Sequence, residues 1–225
     1  MTLGLELYEL TIVVVAKNHN PTILNPDFLY RNNIVEEGLD LAEAPITTEV
    51  FSRVSFKSGI VIVADSNRVT FVDRNKKSLA DKTPLPKIAV DFLQTLEHVS
   101  YKAVGINPKG IIEFADSESV RLYLIDSFFK KNSWIDVKDF KLHPKLALSY
   151  KGQDKNFTIN IEEGIGTDED KGKHFIVCNA NYHRDLPVNE HDKALDEAKK
   201  IIENCDGDIN HYKSFVTQHF LPRSE

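Results

Sequence analysis

The sequence is short of the features from which function is usually read. It has two cysteines, Cys178 and Cys205, in 225 residues. That is too few for a disulfide framework, which excludes the small stapled secreted folds and predicts a reducing compartment. No apolar run approaches the roughly 20 residues that span a bilayer. The opening MTLGLELYELTIVVVA carries Glu6 and Glu9 and no basic leader, unlike a signal peptide. The expectation is a cytoplasmic protein with no membrane partner. Basic excess is also missing: the formal charge is -6, which disfavours a chain devoted to duplex nucleic acid.

Chemical motifs are equally sparse. There is no CxxC, HxxxH or HExxH spacing for zinc, no GxSxG elbow and no glycine-rich phosphate loop. His174 and Cys178 share one face of a predicted strand, but two ligands do not make a zinc site. The acidic stretch EEGIGTDEDKG (162–172), with Asp168, Glu169 and Asp170, lacks the ligand order of a calcium loop and reads as a hairpin loop. Neither cysteine has an activating base beside it in sequence. No catalytic residue, metal or cofactor is therefore assigned, and the expectation leans away from an enzyme.

What the sequence does carry is pattern. Residues 7–17 (LYELTIVVVAK) are β-branched and predict a strand that ends at Asn20-Pro21. Residues 27–46 read as irregular. Stretches 46–56, 60–65 and 68–73 predict three antiparallel strands joined by turns at Lys57-Ser58-Gly59 and Ser66-Asn67. A polar loop over 74–82 follows. Ile88, Ala89, Phe92, Leu93 and Leu96 recur at helical spacing behind Pro86. The run 100–108 predicts a strand, GINPKG a turn set by Asn107-Pro108, and 111–115 a second short strand. Residues 117–131 predict a helix begun by Ser117. Residues 146–151, 156–163 and 173–183 predict another meander, with Phe157, Ile159 and Ile161 alternating against Thr158, Asn160 and Glu162. A helix capped by Asn189 or Asp192 carries Leu195, Ala198, Ile201 and Ile202 on one stripe. A break at 206–208 and a last helix over 208–221 end the chain.

This predicts an α+β fold of two antiparallel-sheet halves, 1–108 and 109–225. Each is a strand meander followed by an amphipathic helix, related as a pseudo-duplication and able to form one compact domain. The sheets would join edge to edge or face to face. If the halves repeat, the strand ends AKNH and NANYH echo each other. Asn18, His19, Asn20, His183, Arg184 and Asp185 are then a candidate polar or partner site. Arg53, Arg68, Arg74, Lys76 and Lys77 form a candidate basic surface.

The meander, VSYKAVGINPKG and NANYHRDLP before a terminal helix together resemble a sporadically distributed family of bacterial proteins, about 250 residues long and of unknown function. The resemblance implies two α+β halves in a bacterial accessory protein of a mobile or defence-linked gene cluster, and it carries no site residues. The functional expectation is a non-enzymatic binding protein acting through protein–protein contact, with a partner protein or a second copy. The alternatives are an enzyme or small-ligand binder with a polar site between the halves, and a nucleic-acid-binding accessory subunit, which is not favoured.

Overall fold

One long strand explains how the two halves meet. The computed structural model describes residues 4–17, 19–130, 132, 134–135, 137–167, 170–187 and 190–221. In it β1 (Leu5–Lys17) and β6 (Ser100–Phe114) pair antiparallel along their lengths at the centre of a nine-stranded sheet. On the β1 side follow β5 (Arg68–Asp73), β4 (Ile60–Asp65), β3 (Phe51–Ser55) and the short β2 (Ile46–Thr47). On the β6 side follow β9 (His174–Asp185), β8 (Asn156–Ile165) and β7 (Leu146–Lys151). Every pairing is antiparallel. The fold is α+β, the two half-sheets join edge to edge, and the expected division at 108/109 falls inside β6.

Six α-helices among the described residues accompany the sheet: α1 (Pro26–Arg31), α2 (Lys76–Ala80), α3 (Leu85–Thr95), α4 (Ser117–Phe128), α5 (His191–Glu203) and α6 (Cys205–Phe220). The element order repeats. Apart from the short β2 and α2 of the first half and the terminal α6, β1-α1-β3-β4-β5-α3 is followed by β6-α4-β7-β8-β9-α5, and the strand order reads alike outward from the β1–β6 pair. The repeat is one of topology; it does not establish a duplication.

Strand alternation sends one set of side chains to the helices. Leu10, Ile12, Val14, Ile62, Phe71, Ile106, Ile159, Cys178 and Tyr182 are buried there. Phe92 of α3 meets Phe71 and Phe28 edge-on, the Tyr101 hydroxyl donates to the Leu96 carbonyl at 3.0 Å, and the Tyr212 hydroxyl donates to the Cys178 carbonyl at 2.8 Å. Gly110 makes room for that last contact, since a Cβ would lie 2.5 Å from the Tyr212 hydroxyl. No helix among the described residues is long and apolar enough to cross a membrane.

Several local expectations are corrected. Asn107-Pro108 makes no turn: β6 runs through it, and the ladder to β9 has no registered pair between Ile106 and Lys109. There proline's missing donor is accommodated, and pairing on both sides overrides the local turn preference. Stretch 46–56 is two strands, turned at Thr48, whose hydroxyl bonds the Phe51 amide and carbonyl. Short helices occupy part of 27–46 and of 74–82, started by the side chains of Asn25 and Asn75. Asp116, not Ser117, caps α4 by accepting from the Ser119 amide. Glu190 sits at the cap of α5, in place of the expected Asp192, and Asn189 lies outside the described residues. The helix break falls at Asn204, so 206–208 lie in the first turn of α6.

Candidate functional site

The helices leave the other face of the sheet uncovered among the described residues. Its residues follow from the registers. In the first half the outward positions are Thr11, Val13 and Val15 on β1, Thr70 and Val72 on β5, and Val61 and Val63 on β4. Across the junction Thr11 faces Asn107, Glu9 faces Lys109 and Val13 faces Gly105. Beyond β6 come Asn179, Asn181 and His183 on β9, then Thr158 and Asn160 on β8. The open face is therefore valine-rich on one side of the β1–β6 junction and asparagine-rich on the other. The Oδ1 atoms of Asn107 and Asn179 are covered and accept no hydrogen bond. Such orphaned acceptors cost about 1–3 kcal/mol each.

The expected polar site does not assemble. Asn18 lies outside the described residues. Asn20 accepts from the amide and hydroxyl of Thr22 and starts the turn at Pro21, which accounts for its presence. His19 is 3% exposed and stacks on Phe92, under the helices. Among the described residues neither of its ring nitrogens has a hydrogen-bond partner. Burial pulls its pKa below the ordinary 6.5, and nearby Asp65 offsets this only in part. His183 lies on the open face, where its Nε2 is 3.2 Å from Asp185. Its cross-strand neighbour Gly105 pairs with Val13, six residues before His19. The two histidines thus sit on opposite faces, and β1 matches β6 in the topological repeat while β9 matches β5.

Arg184 turns the other way. It grips the Asp208 carboxylate through two bonds of 2.8 and 2.9 Å, and Lys155 adds a third at 2.7 Å. Burial acts to raise the Asp208 pKa, but these cations prevail and hold it below the usual 3.8. The ring of Tyr182 lies under Lys155, and its hydroxyl pairs with His211 Nδ1 at 2.6 Å. This cluster ties the start of α6 to β9.

The candidate basic surface is largely neutralised. Arg53 pairs with Glu43 at 3.0 Å, Arg68 with Asp65 at 3.0 Å and Arg74 with Glu9 at 2.7 Å. Lys76 bridges Glu6 at 2.9 Å and Asp170 at 3.4 Å, tying α2 of the first half to the β8–β9 connection of the second. Lys77 is exposed on α2. Cations so engaged offer little to a phosphate backbone.

A cleft of about 560 Å³ opens on the uncovered face beside the β8–β9 connection. Its apolar floor is Ile111, Phe175 and Val177, and Tyr8, Lys109 and Asn179 stand at its wall. A bulge in β1 between Leu7 and Glu9 carries Tyr8. Bulges re-aim side chains, and here the Lys109 ammonium lies 5.3 Å from the Tyr8 ring centre. Gly164 and Gly166 let the connection fold close, because a Cβ at either would collide with Val177 or with the Asp170 carbonyl. Asp168 and Glu169 lie outside the described residues. A second cavity of about 430 Å³ lies near Ile34, Ser58 and the start of α3.

Cys178 and Cys205 are free and buried, and burial pushes both thiols up to about 12. No group of three metal-ligating side chains gathers among the described residues. No protein-family model matches the chain, and no curated protein matches its sequence. Of the open-face residues His183 was a candidate in the sequence, while Thr158, Asn160, Asn179 and Asn181 were not, although their signal was present: the polar half of each alternating strand marks a face that no helix covers among the described residues.

Proposed function

We propose that this chain is a non-enzymatic binding protein whose partner, another protein, lies on the open face of the sheet. One observation carries the reading. An uncovered antiparallel face is ordinarily polar, yet here the half-buried Val13, Val15, Val61 and Val63 lie on the outward side of the first half, with Thr11 and Thr70 between them. Contiguous apolar surface of this kind marks interaction sites. Two free, buried thiols fit a reducing cytoplasm. The family resemblance alone supports the further element of the proposal, a bacterial accessory role in a mobile or defence-linked cluster.

The test places a photo-crosslinking residue at Thr70, between the valines, and a control at the exposed Asp196 on α5. In extracts of the source organism the Thr70 position should yield a specific adduct, or a dimer band if the partner is a second copy. Equal labelling from both positions, or none from Thr70 in a chain with unchanged melting, overturns the reading.

A further inference from the structure

The cleft beside the β8–β9 connection has a charge imbalance that the fold does not use. Three carboxylates line it, and each is already engaged. Glu162 pairs with Lys145 at 2.5 Å, Glu163 with His143 at 2.8 Å, and Asp170 with Lys173 at 3.0 Å and Lys76 at 3.4 Å. Lys109, the one cation in the described lining, makes no ion pair among the described residues. Its direct cross-strand neighbour Glu9 is spent on Arg74 at 2.7 Å and on the Thr11 hydroxyl at 3.3 Å. The ammonium rests only over the Tyr8 ring, which the β1 bulge brings to the open face.

We propose that this cleft binds a small organic anion, a carboxylate or phosphate joined to an apolar body, with Lys109 recognising the charge. The apolar body lies on Ile111, Phe175 and Val177, of which Ile111 and Phe175 are 8% and 5% exposed on a face that has no helix. Asn179 stands beside Lys109 in the register; its Oδ1 is covered and has no partner among the described residues, and its Nδ2 is the side-chain donor. It is the neutral group available to orient the anion. The volume of about 560 Å³ falls within the range of roughly 300–1,000 Å³ usual for small-molecule sites. A charged head on Lys109 beside an apolar floor would engage Tyr8, Lys109 and Asn179 together.

This inference goes beyond the partner surface, because none of Val13, Val15, Val61 or Val63 lines the cleft. The crosslinking result at Thr70 leaves it untouched, so either can fail alone. Calorimetric titration would use three naphthalene probes of one shape: 1-naphthyl phosphate, 1-naphthylacetate and the uncharged 1-naphthaleneethanol. Both anions should bind one-to-one, and the alcohol more weakly. Lys109→Met should weaken the anions by about tenfold or more, the usual consequence of losing one charge-assisted contact, and leave the alcohol unchanged. Lys109→Arg should retain binding. Tighter binding of the phosphate assigns a phosphorylated ligand, and the reverse order assigns a carboxylic acid. In the unaltered protein, probe-induced NMR shifts should centre on Tyr8, Ile111 and Val177. No anion binding, anion binding unaffected by Lys109→Met, or shifts centred elsewhere overturns the proposal.

Discussion

Outward from β1 the open face reads Thr11, Val13 and Val15, then Thr70 and Val72, then Val61 and Val63; outward from β6 it reads Asn107, Lys109 and Ile111, then Val177, Asn179 and Asn181, then Thr158 and Asn160. The covered face differs between the halves as well. Asp73, fully buried at the end of β5, is held by neutral donors: the Asn75 amide at 2.8 Å and the Ser78 and Thr83 hydroxyls at 2.6 Å each. Asp208, 3% exposed at the start of α6, is held by two cations. Both carboxylates join a strand end to a helix start. Strand order is thus compatible with quite different polar solutions. What the halves share is the inward apolar alternation; what differs between them is the outward side.

The largest expected effect breaks the Asp208 anchor. Truncating one partner of a buried ion pair strands the others, at about 3–5 kcal/mol. Lys155 is 39% exposed and water softens its loss, so Asp208→Ala should fall near the lower end, about 3 kcal/mol by denaturant unfolding. Asp73→Ala leaves neutral donors unpaired and should cost about 1–3 kcal/mol. An equal or inverted order would break the contrast between the two anchors.

Acid should separate the halves in sequence. His19 titrates below its ordinary 6.5 in the folded chain. Between these values the unfolded chain takes a proton that the folded chain refuses, so stability is full above 6.5 and falls as pH drops below it. Asp208 titrates below 3.8, so its contribution persists above 3.8 and is lost as pH falls through the lower folded value. Unfolding midpoints measured from about pH 7 to 5 should fall in the unaltered chain and fall less in His19→Phe, which keeps a ring on Phe92 without a proton site. Parallel curves would show that His19 does not control this step.

The smallest effect concerns the tie between the halves. Lys76 is 46% exposed, and exposed pairs contribute about 0–1 kcal/mol. Lys76→Ala should leave global melting nearly unchanged while hydrogen exchange quickens in the connection around Gly164 to Lys173. Added salt should produce the same change in the unaltered chain. An arm unmoved by either would mean that its glycines, not the ion bridge, hold it down.

Much of the covered face was legible in sequence. The alternation of Phe157, Ile159 and Ile161 and the stripe of Ile88, Ala89, Phe92 and Leu93 are local signals, and they fix β8 and α3. Asn107-Pro108 was misread because a dipeptide turn preference competes with pairing to strands roughly 70–100 residues away, and pairing wins. The site was least legible. The separation of His19 from His183 depends on which face each strand end presents, and the engagement of Arg74 by Glu9 or Lys76 by Asp170 joins residues far apart in the chain.

The central pairing also sets an order for synthesis. β1 emerges with Val13, Val14 and Val15 early, but its second neighbour β6 begins at Ser100. At about 5–20 residues per second, the intervening chain takes roughly 5–20 s to appear. During that interval β1 gains β5 on one edge only once Arg68–Asp73 has appeared, and its other edge stays bare. The nascent chain is a half-finished sheet whose sticky edge is closed only by its own second half, so a ribosome stalled before β6 releases a fragment that invites another strand.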